Sequence, residues 1–269
     1  MGLNEFLKRA GYRIAPRLTA AILSSRARAY STSLSKQWGL FDLNQKLIAD
    51  VGHRVASGPF AGMVLTRAAE SQHIGPYLLG TYEMELHPWL EEVLRGSYSE
   101  VVDIGSNFGY YVIGFARRFP RVTVVAFDTD WWARRAVAEM AAANNVSNIT
   151  IRGFCSASWL REHLSERALI VSDCEGYERE LFCGEPVVQL STATMIIELH
   201  EQKPGDLMAQ LRRRFEGTHV IEQCGSRLMT PRPGVHVPSL TDEEFERVRQ
   251  DVRAEQSWLY LRPRITAIA

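Results

Sequence analysis

No C-x-x-C pair occurs in the chain, and none of its four cysteines, Cys155, Cys174, Cys183 and Cys224, has a histidine at zinc-finger spacing. A structural zinc site is therefore excluded, and the cysteines read as reduced, buried thiols of a cytoplasmic protein. The Gly-Lys-Ser/Thr triplet of a phosphate-binding P-loop is absent, and so is the G-x-G-x-x-G fingerprint that brings backbone amides to a pyrophosphate. No apolar run approaches the roughly 20 residues that cross a bilayer. The early apolar stretch LTAAILSS is interrupted on both sides by Arg17, Arg26 and Arg28, which does not read as a secretory signal. Net charge is absent too: 31 basic residues balance 31 acidic ones, so no global field draws a polyanion such as nucleic acid.

What is present is uneven. Before residue 40 seven Lys and Arg side chains, from Lys8 to Lys36, face the single acid Glu5. Leu3, Phe6, Leu7, Ala10, Ile14, Leu18, Ile22 and Leu23 recur at helical spacing, with a break near Pro16. Residues 1–55 are therefore expected to form a basic helical arm that packs on the main domain or joins two copies as a homo-oligomer; contact with a membrane surface is the alternative. Residues 56–96 read as a pre-domain segment. RVASGPFAGMVLT, from Arg54 to Thr66, predicts a short hairpin, and GTYEMELHPWLEEVLRG, from Gly80 to Gly96, a helix running up to a glycine stop.

From residue 97 to 269 short β-branched runs alternate with helical patterns. EVVDIG, VTVVAFD, NITIRGF, ALIVSD and TMIIELH are the runs, rich in Val and Ile. Strands buried on both faces look like this, so the expectation is an α/β, doubly wound, mostly parallel Rossmann-like sheet. The ending, THVIEQCG, DEEFERVRQDVRAE and SWLYLRP, suits a last, antiparallel strand hooked onto it.

The stretch VVDIGSNFGYYVIGFA decides the ligand class. In an open α/β sheet ligands lie beyond the carboxyl ends of the strands, where Asp103 and Gly105 fall. An acid just before the glycine turn repels pyrophosphate and favours a ligand with an ammonium and a sulfonium, such as S-adenosylmethionine. Gly105 and Gly109, lacking Cβ atoms, let the backbone approach that ligand. Asp128, ending the next strand, is placed to accept from both ribose hydroxyls. A tight strand-helix turn without a ligand is the alternative.

These residues carry a resemblance. VVDIGSNFGYY, AFDTD, LIVSDCEGYERELF and MIIELHE, with GTYE upstream, resemble the FkbM-like group of class I S-adenosylmethionine-dependent methyltransferases from about Gly80 onward. The most specific part is D-x-E-G-x-E, formed by Asp173, Glu175, Gly176 and Glu178. The resemblance implies a class I methyltransferase domain over residues 97–269 and methyl transfer to a hydroxyl of a sugar or secondary metabolite. It also implies cofactor contacts from Asp103, Gly105, Asn107, Gly109 and Asp128, beside which Ser106, Glu83 and Asp173 are expected. Where related enzymes aim an acid at the adenine amine, GFCSAS offers Ser156 or backbone carbonyls. One of the indoles of Trp131 and Trp132 stands where it can flank the adenine.

A hydroxyl acceptor must lose its proton as the new bond forms, which requires a base. Asp173, Glu175 and His200 are the candidates. Glu198 and His200, two apart, share a strand face, and an ordinary histidine titrates near neutrality. Glu175 and Glu178 have the alternative role of acids at a helix start. Asp173, Glu198 and His200 also form an oxygen-and-nitrogen set that makes a divalent metal a weaker alternative. Two other functions stay open: a non-catalytic cofactor-binding or scaffold subunit of a biosynthetic complex, and an N-methyltransferase.

Overall fold

The computed structural model describes residues 36–67, 69, 73–184, 186–200, 205–226, 233–250 and 255–264. The amphipathic segment read over Leu3 to Leu23 lies outside them. Seven strands form one sheet: β1 (Glu100–Ile104), β2 (Thr123–Phe127), β3 (Ile149–Arg152), β4 (Leu169–Ser172), β5 (Thr194–Glu198), β6 (His219–Gly225) and β7 (Ser257–Pro263). Their order is β3-β2-β1-β4-β5-β7-β6. β3, β2, β1, β4 and β5 pair in parallel, and β7 runs antiparallel to both β5 and β6.

This is the expected doubly wound, Rossmann-like sheet. Alternate residues of each strand enter opposite layers. Val101, Val124, Leu169, Ile196 and Tyr260 lie in one buried cluster, and Val102, Val125, Ile170, Ile197 and Leu261 in the other. β1 is buried along its whole length, as a parallel strand covered on both faces must be. The last strand does not sit on an edge. It enters between β5 and β6, because Trp258, Leu259, Tyr260 and Leu261 are all buried and need cover on both faces, whereas β6 alternates.

The helices are α1 (Leu40–Val51), α2 (Ile74–Leu79), α3 (His87–Val93), α4 (Tyr110–Arg118), α5 (Trp131–Ala143), α6 (Ala157–His163), α7 (Glu178–Phe182), α8 (Asp206–Phe215) and α9 (Asp242–Arg249). α4 and α5 cover the first layer; α6, α7 and α8 cover the second. Local chemistry explains their ends. Thr241 and Glu244 close a capping box at α9, and α8 starts on Asp206 and ends on Arg212, Arg213 and Arg214, matching its dipole. α1 places Leu40, Leu43 and Leu47 in the same buried cluster as Val101, and Lys46 reaches Glu244 of α9 at 2.7 Å.

The hairpin expected over Arg54 to Thr66 is reduced to one antiparallel bridge, Arg54 to Val64. Gly58 forces the compact shape: a Cβ there would lie 2.5 Å from the Gly80 carbonyl oxygen, so this loop packs on the turn before α3 instead of extending as a ladder. The helix read over Gly80 to Gly96 begins late, with a turn, a short 3-10 segment at Met84–Leu86 and then α3. Among the described residues no helix is long and apolar enough to cross a membrane. No disulfide joins the four cysteines.

Candidate functional site

The strand order reverses between β1 and β4, and there the parallel strands leave a crevice at their carboxyl ends. A cavity of about 430 Å³ occupies it, bounded by the segments that follow β1, β2, β3 and β4. The turn after β1 is fixed by backbone bonds: the amides of Gly105 and Ser106 both donate to the Phe127 carbonyl, at 2.8 and 2.9 Å. Asn107 takes a φ of 45° and donates its amide to Asp128 Oδ2 at 2.8 Å. Asp128 Oδ1 accepts from the Asp130 amide at 2.8 Å. Each carboxylate oxygen of Asp128 thus keeps one lone-pair site for a ligand hydroxyl.

The two glycines serve the chain before they serve a ligand. Gly105 has a φ of 92°, and a Cβ on it would lie 1.6 Å from the backbone oxygen of Asp173, where the loops after β1 and β4 cross. Gly109, at φ 98°, is the left-handed residue before α4 and faces Val137, not a cavity. The expectation that both admit a ligand is corrected for Gly109; Gly105 does line the cavity.

Asp103 shares the parity of Val101, so its carboxylate enters the layer under α4. It is buried, and Oδ2 has no hydrogen-bond partner among the described residues. Burial first, then the nearby charges of Asp173, Asp128 and Glu83, push its pKa well above the usual carboxylate range. Beside it lies a second, water-sized cavity of about 30 Å³, walled by Tyr77, Tyr82, Ser106, Tyr110 and Tyr111. Glu83 is buried behind that wall at a φ of 46°, its carboxylate accepting from the Tyr111 hydroxyl. Burial likewise raises Asp128, against the opposing effect of its two amide bonds. Among the described residues, no Lys or Arg lines either cavity. The chemistry of this donor set fits a cation that also carries hydroxyl groups, and it opposes a phosphate.

The carboxyl ends of β4 and β5 are organised differently. β5 stops at Glu198, and the chain then carries His200 back toward the turn after β4. His200 Nδ1 lies 2.8 Å from Glu178 Oε1, while Nε2 faces Glu175, Asp173 and Glu198 at 3.5, 3.7 and 3.8 Å. Glu178 is fully buried and also accepts from the amides of Cys174 and Gly176, at 3.2 and 3.4 Å. Burial pushes its carboxyl up, but His200 and the backbone amides of Glu178 itself and Cys174 hold it below the ordinary value. The Glu178 hydrogen bond, aided by the charges of Glu178, Glu198 and Asp173, pushes His200 up to about 9 against the effect of burial. His200 is accordingly an imidazolium at neutral pH, which corrects the expectation of a base with an ordinary titration range.

Asp173, Glu175 and His200 offer ligand atoms within 4.8 Å of one another. An imidazolium among carboxylates also accounts for this gathering by charge, Glu175 is 86% exposed, and nothing beyond the gathering itself supports a divalent metal. Burial pushes the Cys155 thiol up to about 12 and raises Cys174 further, so neither cysteine of the cavity wall is a thiolate nucleophile.

Of the residues expected at the site, Gly105, Asn107, Asp128, Asp173 and Glu175 border the main cavity, and Asp103 and Ser106 the small one. Ser156 does not. It caps α6, its Oγ accepting from the Trp159 amide at 3.1 Å. The wall it was expected to provide is made by Gly153, Phe154 and Cys155. Trp132, not Trp131, borders the cavity. The sequence reading missed Phe154 and Tyr177, whose rings meet at 5.0 Å on the rim. Phe154 is 57% exposed, an unusual position for phenylalanine and the one signal that marks it. Glu178, read as a helix-start acid, does begin α7, yet its carboxylate is turned to His200.

No protein-family model and no curated protein matches the chain. Among solved structures, an rRNA methylase from Streptococcus thermophilus is similar at 10% identity over 66% of this chain and 96% of its own, with a TM-score of 0.45. Precorrin-6y C5,15-methyltransferase from Geobacter metallireducens is 11% identical over 63% and 83%, with a TM-score of 0.43. An S-adenosylmethionine-dependent O-methyltransferase from Thermotoga maritima is 10% identical over 65% and 63%, with a TM-score of 0.41. Similarities this distant assign neither an activity nor an acceptor to this chain.

Proposed function

We propose that the chain is an S-adenosylmethionine-dependent methyltransferase of the FkbM-like group, acting in the cytoplasm on a hydroxyl of a small sugar or secondary metabolite. The observation that carries this is Asp103: a buried carboxylate at the switch point with, among the described residues, one unpartnered oxygen, further acids around it and no lining cation. Such a site gains by accepting a ligand's positive charge and loses by accepting a phosphate. That separates S-adenosylmethionine from dinucleotides and nucleoside triphosphates.

In this reading Asp103 faces the ammonium, Asp128 takes the ribose hydroxyls, and Phe154 with Trp132 flanks the adenine. When bound, S-adenosylmethionine supplies an electrophilic methyl whose C–S electron pair returns to sulfur as the new C–O bond forms. The chain's own task is then alignment and removal of the acceptor proton. Neutral His200 takes that proton on Nε2, and the carboxylates of Asp173 and Glu198 stabilise the imidazolium that results. Since His200 is pushed up to about 9, its base form grows above neutrality and turnover rises with pH to about that value.

Titration calorimetry with S-adenosylmethionine and, separately, NAD tests the cofactor assignment. A screen of alcohol and amine acceptors then tests the chemistry. Binding of S-adenosylmethionine alone, with transfer to alcohols that Asp173→Ala abolishes, is expected. Transfer to amines only overturns the O-directed part, and binding with no turnover on any acceptor favours a non-catalytic subunit.

A further inference from the structure

We propose that Glu178 is a positioning residue for His200: its buried carboxylate holds the ring through Nδ1, leaving Nε2 as the nitrogen that exchanges a proton with the acceptor. A carboxylate can only accept, so Nδ1 keeps its hydrogen in both charge states of the ring. Nε2 is therefore the site that titrates. Its neighbours at 3.5–3.8 Å are beyond ordinary hydrogen-bond length, so its proton is not committed to any of them.

The charged groups that face the ring come from each neighbouring element among the described residues: Asp173 and Glu175 from the turn after β4, Glu178 from α7, and Glu198 from β5. Glu198 is itself held by Gln256, whose Nε2 donates to Oε1 at 2.6 Å. Among the described residues only Glu178 is bonded to Nδ1. Its amide donors Cys174 and Gly176 belong to the same turn as Asp173 and Glu175, so one carboxylate ties the position of the imidazole to the position of that turn. The catalytic meaning of this rests on the proposed methyl transfer; the geometry does not.

Nitrogen-15 NMR of the histidine-labelled chain tests it, with the His200 signal assigned by its loss in His200→Gln. The expected result is a neutral form protonated on Nδ1 and a midpoint near 9. Glu178→Gln, which can still accept from Nδ1 but carries no charge, lowers the midpoint by about one unit or more, tenfold in proton affinity. Glu178→Asp restores most of it. In turnover the ascending limb of the pH profile moves to lower pH with Glu178→Gln, and kcat changes more than KM. A neutral wild-type ring protonated on Nε2, or a folded Glu178→Gln with an unmoved midpoint, overturns the proposal. Should Glu178→Gln fail to fold, the wild-type tautomer decides alone. These spectra need no cofactor, so the expected tautomer in a chain that binds no S-adenosylmethionine would sink the proposed function and leave Glu178 in its positioning role.

Discussion

At the ends of β1 and β2 the acids face almost no positive charge of the chain's own; at the ends of β4 and β5 they enclose one. Among the described residues the charges that act on Asp103 are those of the carboxylates Asp173, Asp128 and Glu83, and Asp128 has Arg134, whose guanidinium donates to the Asp128 carbonyl at 2.7 Å. Asp173, Glu175, Glu178 and Glu198 instead gather on His200. The first region is incomplete until a cation arrives from outside, which is the property of a binding site. The second carries its own cation and can give up or take a single proton, which is the property of an acid–base centre. Gly105 joins the two, where the loop after β1 crosses the backbone of Asp173.

Breaking that crossing has the largest expected effect. Gly105→Ala puts a methyl on the Asp173 backbone at a positive φ and is expected to cost about 3 kcal/mol or more, lowering the melting temperature by roughly 6–12 °C. Gly176 is the control: its φ is 104°, but nothing lies within 4 Å of a Cβ there. Gly176→Ala should cost only about 1–2 kcal/mol. Equal melting temperatures for the two variants would contradict the account of the crossing.

Asp103→Asn separates binding from folding. It is expected to weaken S-adenosylmethionine by about 10- to 100-fold while leaving the melting temperature unchanged or higher, because an isolated buried acid is removed. Unchanged affinity by calorimetry would remove Asp103 from the binding site.

The His200 centre is sharpened by pH. Its folded value of about 9 exceeds the ordinary 6.5, so its contribution to stability is present in full below about 6.5 and is lost as pH rises through about 9. The melting-temperature advantage of wild type over His200→Gln should therefore shrink between pH 6.5 and 9, by the equivalent of about 2 kcal/mol after discounting for exposure. An advantage independent of pH would contradict the raised value. The smallest effect is on the rim, where Phe154→Ala should weaken cofactor binding by about 1 kcal/mol, roughly fivefold, without changing the pH profile.

Much of this was legible in the sequence for a physical reason. Parallel strands buried on both faces must be apolar runs, so β1, β2, β4 and β5 stand out, and with them the strand ends where Asp103, Asp128, Asp173 and His200 fall, whereas the edge strand β3 alternates. Less legible was whatever depends on contacts between distant segments. That Gly105 answers to Asp173 can be seen only once β1 and β4 are neighbours. The pairing of Glu178 with His200 spans the turn after β4 and the end of β5, and no spacing rule links them. Phe154 and Tyr177 meet from two irregular loops, where periodicity gives no signal. Ser156, offered beside backbone carbonyls as an adenine contact, caps α6 instead of lining the cavity, since a serine before a helix is more readily a cap. The sequence reading hooked β7 onto the sheet without placing it inside, although the unbroken apolar run WLYL suits a central strand.

Calorimetry of the wild-type chain and Asp103→Asn with S-adenosylmethionine, with NAD as the comparison ligand, tests the central claim most directly. The expected result is binding of S-adenosylmethionine but not NAD by wild type, with most of that affinity lost in the variant. Binding of NAD, or S-adenosylmethionine affinity indifferent to Asp103, would contradict the claim that the acids at the ends of β1 and β2 await an external cation.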